Sequence, residues 1–102
     1  MALRVSAGSP GRETLVFTIP EDPALSRLGR LVASHFLRQN GVKAAAARRG
    51  ALAVERGLRK LLKGGRGIVL VLQPQPTVLE VTGRRVGGPK TRLLRLARPR
   101  PA

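Results

Sequence analysis

Ile68-Val-Leu-Val-Leu72 is the stretch that most limits what this chain can fold into. It is short, continuously apolar and rich in β-branched residues. Gly67 precedes it and Gln73-Pro-Gln-Pro76 follows it. A run with no polar face, too short for a helix, predicts a central strand buried on both sides. Thr77 to Thr82 predicts a second strand, with Leu79 and Val81 facing one way and Val78, Glu80 and Thr82 the other. The Pro-containing turn between the two predicts a hairpin.

The elements before this hairpin follow from periodicity and punctuation. In Glu13 to Ile19, Leu15, Phe17 and Ile19 alternate with less apolar residues, as in a half-buried strand that Pro20 ends. Asp22 suits a helix N-cap and Pro23 the first helical position. Leu25, Leu28, Val32, His35 and Phe36 then recur at helical spacing, with Arg27, Arg30, Ser34 and Arg38 on the other side. This predicts an amphipathic helix over about residues 23–39, stopped by Asn40-Gly41. A second helix is predicted from Lys43 to Lys63, with Ala51, Val54, Leu58, Leu61 and Leu62 as its apolar stripe and Gly64-Gly65 at its end. Gly50 and Gly57 weaken it by about 1 kcal/mol each relative to Ala. Small residues seven apart also permit close packing against a sheet.

The predicted order is β-α-α-β-β with a short C-terminal element around Leu93-Leu94-Leu96. The fold class is α+β: a two-layer sandwich in which a small, mostly antiparallel sheet carries two helices on one face. Residues 1–12 read as a flexible lead-in, 13–96 as one domain, and 97–102 as a basic Arg/Pro tail. With 102 residues and 42% hydrophobic content, a modest core is within reach without disulfides.

Charge narrows the function. The formal net charge is +15. Beyond Asp22 the only carboxylates are Glu55 and Glu80, yet all the Lys and Arg except Arg4 and Arg12 lie there. Acid/base pairs and metal clusters draw on carboxylates, His or Cys, and the chain has no Cys and one His. No stretch approaches the ~18 apolar residues of a membrane span. Met1 to Pro10 has no apolar core of signal-peptide length, which makes the cytoplasm the default compartment.

Several pieces together resemble the ATP-binding domain of anti-sigma regulatory factors, in the histidine-kinase and Hsp90-like ATPase superfamily. They are Leu15-Val-Phe-Thr-Ile-Pro20 with Glu21-Asp22-Pro23-Ala24, the turn from Phe36 to Gly41, Leu52-Ala53-Val54-Glu55, and the paired strands Ile68–Leu72 and Val78–Thr82. The likeness covers about residues 13–82. It implies a regulatory, partner-switching role, with a sigma factor or an antagonist protein as partner. In that family the second helix presents a glutamate that acts on water and, one turn later, an asparagine that holds Mg²⁺. One register puts Arg56 and Lys60 at these positions; the other puts Glu55 and Arg59 there. Arginine and lysine offer a metal no lone pair. The family's Asp before the glycines is also missing from Val81-Thr82-Gly83-Arg84-Arg85-Val86-Gly87-Gly88, and the chain leaves no room for the full lid. The resemblance therefore implies a degenerate, truncated, non-catalytic member that needs no cofactor and no metal.

The residues that stand out are cations. Arg49, Arg56, Lys60 and Lys63 share one face of the second helix, and Arg84, Arg85, Lys90 and Arg92 join them if the C-terminal segment folds back over it. Such a surface suits an acidic protein or the backbone of duplex DNA or structured RNA. Single-strand binding is disfavoured, because its stacking platforms need aromatics and only Phe17 and Phe36 exist, both at core positions. A membrane surface is disfavoured for the same lack. A homodimer is left open. Gly83 to Thr91 nearly spells a P-loop, but Pro89 separates Gly88 from Lys90-Thr91; a basic or plain loop is the simpler reading. His35 reads as a packed or boundary histidine, and Glu55 as a helix-surface pair with Arg59.

Overall fold

The structure is a computed structural model that describes residues 2–5, 14–20, 22–63 and 67–99. Two strands, β1 (Ala2–Val5) and β2 (Leu15–Ile19), come first. A 3-10 turn (Pro23–Leu25) leads into α1 (Ser26–Gln39), followed by α2 (Ala44–Leu62). Three strands close the chain: β3 (Ile68–Pro74), β4 (Val78–Arg85) and β5 (Thr91–Ala97). All pairings are antiparallel and the strand order is β1-β2-β3-β4-β5. The α1–α2 hairpin forms the β2-to-β3 connection and covers one face, so the fold is the expected two-layer α+β sandwich.

Alternation decides which face is covered. Phe17 and Ile19 of β2, Ile68, Leu70 and Leu72 of β3, and Leu79 and Val81 of β4 are buried under the helices. Val69 and Val71 are only half-buried. The central strand is thus where the apolar run placed it, but it is not covered on both sides, because both helices pack on the same face.

The helix ends follow local chemistry. Asp22 Oδ1 accepts from the Ala24 N–H at 3.0 Å, so the predicted cap serves the 3-10 turn that leads into α1. At the other end, Gly41 (φ 88°) takes the left-handed conformation. Its N–H donates to the Arg38 carbonyl at 3.1 Å, and Val42 N–H donates to the Leu37 carbonyl at 3.0 Å. This paired pattern is a Schellman motif, sealed by Val42 and Leu37, which are both buried.

The buried face of α1 is Ser26, Gly29, Ala33, Phe36 and Leu37. It is rotated from the stripe expected on the sequence: Leu28 and Val32 are half-buried and His35 is exposed. Small residues account for the rotation, since they let α1 lie close to α2. A Cβ at Gly29 would overlap Leu58 Cδ1 of α2. On α2, a Cβ at Gly50 would sit 2.8 Å from Leu37 Cδ1 and 3.1 Å from Leu94 Cδ2, and one at Gly57 2.5 Å from Leu93 Cδ2. The glycines that weaken α2 as a helix are therefore its contact points with α1 and β5.

β5 itself carries a bulge. Val81 pairs with Leu94 but Thr82 pairs with Arg92, which leaves Leu93 as the extra residue. Two consecutive leucines can then reach α2, against the alternation of an ordinary strand. The C-terminal element is a full edge strand, and Arg98 N–H donates to the Thr77 carbonyl at 2.9 Å just beyond it. The expected tail thus begins later than residue 97, and 100–102 lie outside the described residues. At the opposite edge, Ala2–Val5 pairs with Leu15–Thr18 where a loose lead-in was expected. The rest of that lead-in and Gly64-Gly65 lie outside the described residues.

Candidate functional site

The helix layer, residues 26–63, carries ten Lys and Arg against one carboxylate. Arg49, Arg56 and Lys60 on α2 and Lys63 at its C-cap are all exposed, at the seven–four–three spacing that puts them on one face. They point away from the buried face formed by Gly50, Val54, Leu58 and Leu62.

The structure divides the other four expected cations. Arg85 joins the helix layer: its Nε donates to the Leu61 carbonyl at 3.1 Å, close to the α2 C-terminus. A cation there also complements the negative end of the helix. Arg84 pairs in register with Val69, and Arg92 with Thr82, so both belong to the uncovered face of the sheet. Arg95, opposite Glu80, shares that face. Lys90 is exposed in the β4–β5 turn. The eight candidates are therefore not one patch. Five lie with the helix layer, two lie across the sheet from them, and Lys90 sits at the rim.

That turn also disposes of the P-loop spelling. Gly83 is buried within β4, and a Cβ there would lie 3.1 Å from both Leu61 and Leu93. Gly87 (φ 80°) makes the reversal, and Gly88 N–H donates to the Arg85 carbonyl at 2.8 Å. A strand follows, whereas a P-loop must open into a helix.

Glu55 departs most from expectation. It is 7% exposed, at the α1–α2 interface, rather than an ordinary surface group. Its Oε1 lies 3.7 Å from Arg59 Nη2 and its Oε2 3.7 Å from Arg30 Nε of α1. Oε2 accepts no hydrogen bond. The partner from α1 was not foreseeable from local spacing, since a helix-to-helix contact brings Arg30 across. Glu55 is also the only carboxylate within α1 and α2. Its burial leaves the outer surface of the helix pair without an acidic group.

One part of that surface escaped the sequence reading. A cleft of ≈ 440 Å³ opens between the helices, lined by Arg30, Leu31, Ser34 and Arg38 of α1 and Arg48 and Leu52 of α2. Arg38 Nη1 reaches the Val42 carbonyl at 3.4 Å. The signal was present in the sequence as the four-residue steps Arg30–Ser34–Arg38 and Arg48–Leu52, but only the helix hairpin makes them neighbours.

Among the described residues, no three of His, Asp and Glu come together as metal ligands. No described helix is long and apolar enough to cross a membrane. No family model, curated protein or solved structure matches the chain.

Proposed function

We propose that this chain is a non-catalytic regulatory binding domain that docks an acidic protein through its helix layer. The observation that carries this reading is the fate of Glu55. The layer's one carboxylate is buried between Arg30 and Arg59, while the arginines and lysines around it face outward unneutralised. Such a surface attracts and orients an anionic partner over a Debye length and repels cationic ones. The resemblance to anti-sigma regulatory domains supports a partner-switching role, with a sigma factor or its antagonist as the acidic protein. Two cations of α2 weigh against nucleotide hydrolysis. Whichever register is chosen, Arg59 or Lys60 occupies the Mg²⁺-binding position, and neither has a lone pair for a metal.

Nucleic acid is the second reading. One observation favours it: Arg49 to Lys63 form an exposed cationic row that spans roughly 21 Å at the rise of an α-helix. A row of this kind can follow a phosphate backbone, and its affinity would fall steeply with salt.

Affinity capture from a lysate of the source organism, with and without nuclease, separates the two. Retention of an acidic protein after nuclease treatment, lost at high salt, is the expected result. Loss of all captured material with nuclease would transfer the function to nucleic acid. Calorimetric titration with Mg²⁺-ATP tests the loss of the nucleotide site. Saturable micromolar binding that Lys60→Ala abolishes would overturn it.

A further inference from the structure

The cleft between α1 and α2 differs from the rest of the helix surface because it is both cationic and apolar. Leu31 is 61% exposed at its edge, and Leu52 is half-buried within it. An isolated exposed leucine would mean little. This one lies in a concavity with Leu52, among Arg30, Arg38 and Arg48, and no acidic residue lines the space. Arg38 and Arg48 have no carboxylate partner among the described residues, and Arg30 is held only by Glu55 at 3.7 Å.

The arrangement selects its occupant. Arg30, Ser34 and Arg38 run four residues apart along one wall, and Arg48 with Leu52 forms the other. An amphipathic helix carries apolar residues at i, i+3, i+4 and i+7, and its flanks can carry acids. Its ridge would cover Leu31 and Leu52 while its flanking carboxylates met the arginines. A phosphate backbone would meet the arginines and leave both leucines wet. A second copy of this chain would bring another +15 charge to the same place. A ≈ 440 Å³ cleft has room for a few side chains of a helix ridge.

We infer that this cleft is the docking groove for an acidic amphipathic helix of the partner protein. The inference rests on the acidic-protein reading above and locates its specificity: Leu31 and Leu52 read the apolar ridge, and Arg30, Arg38 and Arg48 read the acids beside it.

Fluorescence anisotropy tests it with three labelled probes at about 150 mM salt, where charges beyond ~8 Å are screened. The probes are an 18-residue Leu/Glu peptide with amphipathic helical spacing, a peptide of the same composition with its leucines dispersed, and a DNA duplex. Three variants are compared: Leu31→Ser, the cleft pair Arg38→Glu with Arg48→Glu, and the control pair Arg56→Glu with Lys60→Glu. The two pairs change the net charge equally. The amphipathic peptide is expected to bind at least about tenfold tighter than the dispersed one, a difference of ~1.4 kcal/mol. The cleft pair should weaken it about tenfold more than the control pair does. Leu31→Ser should weaken the peptide but not the duplex; since Leu31 is largely exposed, this variant keeps the test intact if the double reversal misfolds. Equal binding of the two peptides, or equal effects of the two pairs, overturns the cleft while leaving an acidic partner in place. Binding of the duplex with no binding of either acidic peptide overturns both.

Discussion

Gly29→Ala puts the helix packing to its hardest test, because helix propensity and packing oppose each other there. Gly29 lies inside α1, where Ala is favoured over Gly by about 1 kcal/mol. On propensity alone the substitution stabilises. But the added methyl would overlap Leu58 Cδ1, with Leu58 Cγ only 3.4 Å away. Leu58 is fully buried and cannot swing into solvent. Either its rotamer changes inside a filled core or α1 moves off α2, and overpacking of this kind costs about 1–3 kcal/mol. A contact closer than any real Cβ contact belongs at the upper end of that range. The net expectation is a loss of about 1–2 kcal/mol after the propensity gain is credited.

Urea unfolding reads this as a lower midpoint with an unchanged m-value. Thermal unfolding should fall by roughly 4–8 °C per kcal/mol for a domain of this size. The double mutant sharpens the result. Leu58→Ala alone should cost about 2–5 kcal/mol, but it opens the space that the methyl added at Gly29 would enter. In that background Gly29→Ala should become stabilising, so the two changes couple with opposite sign. Gly57→Ala provides the contrast, because its obstacle, Leu93, is half-buried on an edge strand and can yield. That variant should be close to neutral. Gly50→Ala should fall between the two, because Leu37 is fully buried but Leu94 is not. A raised midpoint for Gly29→Ala, or additive behaviour with Leu58→Ala, would refute the close α1–α2 contact.

Three further outcomes follow from the same structure. Glu55→Gln removes a buried carboxylate whose guanidinium partners are 41% and 57% exposed; solvent screens those pairs, so the loss should stay within about 1 kcal/mol by denaturant titration, and a loss above about 3 kcal/mol would mean the charge is essential to the interface. Raising salt from about 10 to 150 mM shortens the Debye length from ~30 to ~8 Å and should raise the unfolding midpoint of this +15 chain; a flat response would show that self-repulsion is negligible. Asp22→Ala loses the acceptor for the Ala24 N–H and should cost about 0.5–1 kcal/mol in thermal unfolding, with Asp22→Asn restoring most of it; equal losses for both would contradict a capping role.

The parts of the fold that can be read in advance are those that local chemistry determines. Strict alternation identifies Leu79 and Val81, and Asn40-Gly41 identifies the helix stop, because each signal lies within a few residues. The misread parts depend on contacts between elements. Periodicity misplaces the α1 stripe because Ser26, Gly29 and Ala33 are not conspicuously apolar; they face the core because they are small enough to let α2 approach. β5 is ambiguous because its bulge breaks the two-residue period that marks a strand. The same limit applies to the candidate site. The α2 row is visible on a single helix, but the cleft needs two, and the split of Arg84 and Arg92 from Arg85 appears only with the sheet register.

Glu55 joins these observations. Close helix packing at Gly29 brings Arg30 of α1 near α2, within reach of a counter-charge. Glu55 supplies it from one side, and Arg59 holds the same carboxylate from the other. In an ATPase of the resembled type this helix would direct a glutamate at water and an asparagine at Mg²⁺. Here the carboxylate joins the two helices, and an arginine stands one turn on. Because Arg30 and Arg59 share the layer's only acid, Arg38 and Arg48 at the α1–α2 cleft face no carboxylate among the described residues, which is the feature the proposed acidic partner would complement.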